Sequence, residues 1–141
     1  FTITTTTCAD YIKAGSKLPQ DLITDIKANM RRLEKETKKI FGDTKSPLLV
    51  SVRSGAAASM PGMMDTVLNL GLTDKSVVGL AEQTGNKRFS LDAYRRLINM
   101  FGDVVMGVDH HQFESAFDKV KKHHKVTDDT DLDEDGCGGC I

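Results

Sequence analysis

The segment Leu48–Leu72, LLVSVRSGAAASMPGMMDTVLNLGL, decides the fold of this chain of 141 residues. It opens with the apolar, largely β-branched run Leu48–Val52, which is typical of a buried strand. Arg53 follows directly, and then a loop of small residues in which Pro61-Gly62 fixes a turn. A second strand-like run extends over 65–72. The segment therefore predicts two strands whose connection presents one arginine and a small-residue loop.

Arg53 is the candidate binding residue of this segment. Its guanidinium is always charged, and its planar donors match the geometry of phosphate oxygens. The hydroxyls of Ser51 and Ser54, with the N–H groups of the loop, supply the kind of hydrogen bonds that cradle a phosphate. From the residues alone one alternative stays open, in which Arg53 is a strand-end arginine paired with a local carboxylate.

The loop also carries three methionines, Met60, Met63 and Met64. Methionine fills irregular gaps in protein cores. It can equally line the apolar side of a nucleotide pocket, and the sequence does not choose among the three. The neighbouring Asp65 fits a turn cap better than a magnesium ligand.

Composition and charge exclude several classes of protein. The net charge of −1 and pI near 6.5 argue against general nucleic-acid binding, which needs a basic surface. No run approaches the roughly 20 apolar residues of a membrane span, and the N-terminus has no signal-peptide pattern. Three cysteines do not make a disulfide framework, so we expect a reducing, intracellular compartment, cytoplasmic or organellar (a plastid or another organelle).

The first half of the chain predicts a strand and two helices. The alternating, Thr-rich run 1–7 predicts a strand, and Ala9–Ala14 predicts a short helix that Gly15 ends. A longer helix begins at Pro19, with an apolar stripe that predicts packing on the sheet. The stripe consists of Leu22, Ile23, Ile26, Met30, Leu33 and Ile40. The basic residues away from the stripe are interpreted as a solvated face.

The region 73–124 predicts three helices with short loops, which together form a small helical subdomain. Ser90 is the expected N-cap of the second helix, and Asp109 of the third. The histidine pairs at 110–111 and 123–124 are interpreted as surface residues, since adjacent helical side chains point about 100° apart and do not clamp one ion.

The C-terminal residues are strongly acidic. Asp131-x-Asp133-x-Asp135-Gly136 matches the opening of an EF-hand loop, but the bidentate Glu at the twelfth position is missing. The Cys137-x-x-Cys140 pair supplies two metal ligands, too few for a closed site. We therefore expect an acidic, disordered tail over 126–141.

The central segment closely resembles pyruvate phosphate dikinase. Ser51–Leu72, SVRSGAAASMPGMMDTVLNLGL, carries the likeness most specifically. The likeness continues at 79–81, 83–86, 88–89, 94–96 and 100–108, and it covers the chain from Phe1 to about Leu132. The run Ser59–Thr66 distinguishes this family from phosphoenolpyruvate synthases and other dikinases, which share only the V-R-S segment.

The resemblance implies an α+β fold: part of an ATP-grasp-type nucleotide-binding lobe, a few-stranded sheet with a packed helix, plus a small helical subdomain. It implies ATP as the ligand, with Mg²⁺ in the intact enzyme. The ATP-binding and phosphate-binding residues that it implies are Arg53, Ser54, Gly62 and Met64. It assigns no catalytic residue and no metal ligand to this chain.

The resemblance also bounds what the chain does alone. Members of the family convert ATP, phosphate and pyruvate to AMP, diphosphate and phosphoenolpyruvate through a phosphohistidine in a T-S-H-A motif, which this chain lacks. The family's phosphate-binding lysine, upstream of Phe1, is also absent. We expect a fragment of this phosphotransferase, without the phosphohistidine and pyruvate-binding domains, that does not complete the reaction alone. Its expected partners are ATP and the remainder of the dikinase or a partner chain, in an intact family that is homo-oligomeric.

Two alternatives remain beside that hypothesis. In the first alternative, the chain is a non-catalytic, stand-alone interaction module derived from this lobe. In the second, it is a piece of a related dikinase. The predicted organisation is the same in each case: 1–72 as a partial ATP-grasp-type lobe with the phosphate-binding loop, 73–125 as the helical subdomain, and 126–141 as the tail.

Overall fold

The structure, a computed structural model, describes residues 1–55 and 66–138. It consists of helices with two small sheets and divides into two compact units, Phe1–Lys39 and Ile40–Ile141. The expected α+β class is confirmed. The predicted boundary between 72 and 73 falls inside the second unit, so the three-part functional division stays a prediction. Within the described ranges, no helix has the length and apolarity needed to cross a membrane.

The first unit contains two helices, α1 (Thr5–Lys13) and α2 (Gln20–Thr37). Helix α2 begins directly after Pro19 and ends at Lys38, which adopts the left-handed conformation with φ 56°. The members of its predicted apolar stripe from Leu22 to Leu33 are half-buried. Ile40, the last of the predicted stripe, instead lies in a strand.

The predicted strand at the N-terminus is wrong. Residues 1–4 have no regular structure, and Thr5–Thr7 form the first turn of α1. The backbone N–H of Cys8 donates to the Thr4 carbonyl over 3.2 Å. A lone extended segment needs a partner strand to satisfy its backbone groups, and in the described part of the chain none pairs with it. The helix that follows therefore extends back into the threonines.

The described residues of the second unit form four short strands in two two-stranded sheets. Strands β1 (Ile40–Phe41) and β2 (Pro47–Leu48) pair in parallel. Strands β3 (Val50–Arg53) and β4 (Thr66–Leu70) pair antiparallel. The predicted strand at 48–52 is thus present, but it is broken at Leu49 and shared between the two sheets.

The core of the second unit lies between β4 and two helices, α3 (Ser76–Thr84) and α4 (Lys87–Met100). Leu49, Leu70, Tyr94 and Met100 are partly buried against it. The fully buried members are Val67, Leu72, Leu80, Ala93 and Leu97. Because one apolar stripe of α4 covers β4, the helix fixes the position of the β3–β4 sheet.

Residues 73–124 contain three α-helices, as the sequence predicts, but their details differ. Gly85 ends α3 with φ 65°, and Asn86 caps α4 by accepting from the Phe89 N–H at 2.9 Å, so the expected N-cap Ser90 lies inside the helix. After α4 the backbone continues as a π-helical segment, Phe101–Val105.

Helix α5 (His110–His124) follows the π-helical segment. Asp109 caps it as predicted, accepting from the His111 N–H at 3.0 Å. Gly102 permits the approach of α5, because a Cβ there would overlap the ring of Phe113.

The C-terminal region differs from the predicted disordered tail. Residues Asp129–Asp131 form a 3₁₀ turn and Glu134–Gly138 a short helix, α6. Leu132 and Cys137 are each only 1% exposed. Two apolar side chains in an otherwise acidic segment are enough to anchor it on α4. The remaining residues, 139–141, lie outside the described part of the chain.

Basic side chains of α4 and α5 hold the acidic segment in place. The Arg88 guanidinium donates to the carbonyl oxygens of Leu132 and Asp129, the latter at 3.1 Å. Lys87 pairs with Glu134 at 3.1 Å. The contacts of Arg88 satisfy two backbone carbonyls of the segment, and Lys87 adds an ion pair to it.

We expect Gly79→Ala to destabilise the second unit. A Cβ at Gly79 would overlap the backbone carbonyl oxygen of Thr44, which cannot move aside like a flexible side chain. The expected loss is about 1–3 kcal/mol, the usual cost of overpacking a tight contact. Urea unfolding measures it. Gly138→Ala is the control, because nothing lies within 4 Å of a Cβ at that position. Equal unfolding midpoints for the two variants would contradict the prediction.

We expect Cys137 to resist thiol reagents while Cys8 reacts. Cys8 is exposed and Cys137 buried, and burial raises the pKa of the Cys137 thiol, which lowers its thiolate fraction at neutral pH. In a Cys140→Ser background, labelling with a chromogenic disulfide should be at least about tenfold slower for Cys137 until the chain is denatured. Fast labelling of both thiols would show that the tail does not pack as described.

Candidate functional site

The described part of the candidate site is the end of the β3–β4 ladder. Arg53 is the last residue of β3, and its partner across the ladder is Thr66, the first residue of β4. Arg53 and Ser54 are exposed, and Thr66 is half-buried. The two strands hold both ends of the connection, so the ladder fixes where Arg53 and Thr66 stand.

One face of this ladder is polar at the end where Arg53 lies. Directly opposed residues of an antiparallel pair share a face, so Arg53 lies on the same face as Thr66. Ser51 shares that face, because side chains alternate along a strand. Val67, by contrast, points into the core at 6% exposure. The polar face therefore combines one fixed positive charge with two hydroxyls, and neither strand contributes a carboxylate.

Arg53 makes no side-chain hydrogen bond or ion pair to any residue of the ranges 1–55 and 66–138. Its environment differs from that of the arginines engaged elsewhere. Arg32 pairs with Glu36 at 2.9 Å, and both Arg95 and Arg96 pair with Asp92. The alternative of an arginine neutralised by a local carboxylate therefore finds no support within the described ranges.

The other predicted site residues cannot be compared with the structure in the same way. Gly62 and Met64 lie outside the described residues, as do Met60, Met63 and Asp65. Ser54 is exposed beside Arg53 and takes part in an interaction of its own. The structure thus brings Arg53, Ser54 and Thr66 to one end of the ladder, and the roles of Gly62 and Met64 stay predictions.

Asn69 is a residue of this region that the sequence analysis missed. The ladder pairs Val50 with Leu70 and Val52 with Val67, so two residue steps on β3 match three on β4. Asn69 lies in the three-step stretch on β4, and its backbone adopts a left-handed conformation with φ 60°. Such an extra residue is a β-bulge. The sequence does not signal the bulge, because Leu68, Leu70 and Leu72 alternate as in a regular strand. The bulge is evident only from the packing of both Val67 and Leu70 against the core, since a spacing of three does not fit a regular strand.

A separate apolar groove lies at the opposite end of β4. Its volume is about 550 Å³. Its lining includes Leu70, Leu72, Tyr94, Leu97, Phe101 and Phe113. Arg53 does not line it. At about 3.3 Å per strand residue, the Leu70 end of the ladder lies roughly 10 Å from Arg53. The groove is therefore a feature distinct from the polar face.

The described residues contain no cluster of three or more His, Cys, Asp or Glu side chains placed to hold a metal ion. His110 contacts Asp103 at 3.2 Å and Glu114 at 3.4 Å, all exposed to solvent. His123 is also exposed and His124 half-buried beside Asp133.

Comparison with known proteins identifies the family. Residues 4–126 match the family model described as pyruvate phosphate dikinase, AMP/ATP-binding domain.

The chain belongs to this family.

Similar proteins support the assignment to the dikinase family. The chain is 55% identical to the pyruvate, phosphate dikinase of Giardia intestinalis over 96% of its own length. It is 52% identical to that of Clostridium symbiosum over 96% of the chain and 52% to that of Rhizobium meliloti over 93%. Each match covers 15% of the relative. The chain thus spans about a seventh of the dikinases it matches, and it carries part of their N-terminal nucleotide-binding region.

The dikinase match bears on the predicted fold and ligand class. It confirms the resemblance drawn from Ser51–Leu72 and the ATP-grasp-type assignment of the fold. It also supports ATP as the class of ligand, since the family model names an AMP/ATP-binding domain. The individual contacts of Arg53 and its neighbours are matters for the proposal below.

Tyr94 lines the apolar groove of this dikinase-family domain, and we expect its hydroxyl to ionise at a higher pH than that of an ordinary tyrosine. Its hydroxyl donates to the Asp74 carboxylate at 2.6 Å. That hydrogen bond, with partial burial and the nearby charge, raises the pKa of Tyr94 to about 12. The stability that this hydrogen bond contributes is fully present below pH 10.0, the ordinary pKa of tyrosine, and it is lost as pH rises through about 12.

Absorbance at the tyrosinate band measures this ionisation. Asp74→Asn should return the late-titrating component towards the ordinary range, because the carboxylate that disfavours tyrosinate is removed. Tyr94→Phe should abolish the component, and Tyr11→Phe is the matched control that should leave it in place. A late component that survives Tyr94→Phe would contradict the assignment.

Proposed function

We propose that this domain binds the phosphate groups of ATP on the polar face of the β3–β4 ladder, with Arg53 as the principal ligand. The single observation that carries the proposal is the placement of Arg53: exposed at a strand end, with no carboxylate partner in the described ranges. A guanidinium is always charged, and no donor of the Arg53 side chain is bonded to a described residue, which suits the side chain to an anion.

The neighbouring groups suit the same ligand. The hydroxyls of Ser51 and Thr66 share the face of Arg53 and can donate to phosphate oxygens. Ser54, Gly62 and Met64 are proposed to extend the site, the first two towards the phosphates and Met64 towards the apolar part of the nucleotide. The family supports this proposal because its model describes an AMP/ATP-binding domain.

Mg²⁺ is proposed to enter with the nucleotide. A divalent ion bound through substrate phosphates needs only one or two protein carboxylates. That mode is compatible with described ranges in which no metal-holding cluster occurs. The ion would neutralise phosphate charge that the single guanidinium of Arg53 leaves uncompensated.

The whole dikinase reaction is proposed for the longer protein of which this domain is a part. The relatives that carry the name are several times longer, since the chain covers 15% of each. Its partners are accordingly ATP and the remainder of the dikinase, in a homo-oligomer. A non-catalytic interaction module is the second candidate, favoured by Val52, which is 57% exposed on a sheet that has two strands among the described residues.

Calorimetric titration of the chain with ATP and Mg²⁺ tests the proposal. Arg53→Ala should weaken ATP binding by about ten- to a hundredfold, because removing one charge-assisted phosphate contact costs roughly 1.5–3 kcal/mol. Arg53→Lys should fall in between, since lysine keeps the charge but not the planar pair of donors.

Arg31→Ala is the matched control for charge. Arg31 is exposed on α2, so its removal changes the net charge by the same amount without altering a residue of the ladder. Equal ATP affinities of the wild type and Arg53→Ala would reject Arg53 as a ligand. Absence of ATP binding by all variants would favour the interaction module.

A further inference from the structure

We infer that Asn69 is a positioning residue for Arg53: its left-handed backbone and side-chain hydrogen bond hold the β-bulge that sets the register of the β3–β4 ladder. This inference rests on the proposed function, because it assigns Asn69 a role at the site where Arg53 would meet ATP. It concerns a residue that does not itself touch the ligand.

The register around Arg53 depends on the bulge. From the pair Val50–Leu70, a regular ladder would continue with Val52 opposite Leu68 and Arg53 opposite Val67. The observed pairs are Val52–Val67 and Arg53–Thr66. One extra residue on β4 therefore moves Thr66 into the place opposite Arg53.

The regular ladder would place Arg53 against the core. Val67 is one of the buried residues packed with Leu97, and directly opposed residues share a face. If Arg53 faced Val67, either Val67 would leave the core or the guanidinium would turn towards it. A shift of one residue exchanges the two faces of a strand. The bulge lets Val67 and Leu70 both face the core while Arg53 stays on the polar face.

Asn69 holds the bulge in two ways. Its φ of 60° lies in the left-handed region, which Asn adopts far more readily than other residues with a side chain. Its side-chain amide donates to the Ala93 carbonyl in α4 at 3.0 Å, a contact across 24 positions of sequence. The backbone conformation and the tie to α4 both fix the place of the extra residue.

Three variants of the full chain separate these contributions. Asn69→Val opposes the left-handed backbone, because a β-branched side chain is strongly disfavoured there. Asn69→Gly keeps that backbone and removes only the amide. Lys125→Val is the matched control, since Lys125 has φ 57° at the end of α5, where no ladder is involved.

The first readout is the register, which does not depend on ATP. The wild type and Lys125→Val should show nuclear Overhauser contacts between the backbone protons of Arg53 and Thr66, and Asn69→Gly should show them more weakly, because the tie to α4 is lost. Asn69→Val should lose them. If Asn69→Val does not fold, Asn69→Ala replaces it, because alanine opposes the same conformation less severely. Retention of the Arg53–Thr66 contacts in the folded variant would overturn the inference.

The second readout is ATP affinity. Asn69→Val should weaken binding about tenfold, and Asn69→Gly and Lys125→Val by less than about threefold. In an Arg53→Ala background Asn69→Val should have no further effect, because its effect passes through Arg53. A merely structural role predicts the same loss with and without Arg53, and that result would overturn the positioning role.

The two proposals fail in different ways. If the wild type does not bind ATP, or Arg53→Ala binds as well as the wild type, the proposed phosphate site is wrong. The Overhauser contacts then decide the register on their own, and their loss in Asn69→Val still assigns the bulge to Asn69. If Arg53→Ala weakens binding but Asn69→Val does not, the phosphate site stands and the role of Asn69 is rejected.

Discussion

The packing of β4 against α4 is the contact on which the second unit depends. Val67 and Leu72 meet Ala93 and Leu97 in one buried cluster, and the Asn69 amide adds a hydrogen bond to the Ala93 carbonyl. A two-stranded sheet is marginal in water on its own. The helix supplies the apolar surface that holds β4, and β3 is in turn held by its ladder with β4. The position of Arg53 is thus a consequence of core packing on the other face of the sheet.

The same constraint explains why a bulge occurs here. The core requires apolar residues at Val67 and Leu70, and a regular strand would place these on opposite faces. The chain resolves the conflict with one extra residue in a conformation suited to Asn. Bulges are over-represented next to functional sites because they re-aim a side chain. In this domain the residue affected is the partner of Arg53, so core composition and site geometry are coupled through one backbone feature.

The C-terminal segment shows how little apolar surface is needed to order an acidic stretch. Leu132 and Cys137 provide it, and Arg88 neutralises the cost of burying nearby carbonyls by donating to two of them. Arg95 is buried beside Asp92, and its guanidinium lies 4.2 Å above the ring centre of Phe117. The arginines of α4 therefore stabilise the fold through hydrogen bonds and ion pairs, whereas Arg53 on β3 makes no such side-chain contact with a described residue.

The sequence alone determined the family, the α+β class, the presence of the helices between residues 9 and 124, a few of their ends and the choice of Arg53 as the candidate ligand. These follow from local signals: a specific motif, apolar spacing, and capping residues such as Asp109. Local signals failed at Thr5–Thr7, where a strand needs a partner that the structure does not supply, and at Asp129–Gly138, where two buried side chains outweighed an acidic composition. Only the tertiary structure decided the register of β3 on β4, because register depends on which residues of β4 the core of α3 and α4 accepts. That choice places Arg53 opposite Thr66 and on the polar face.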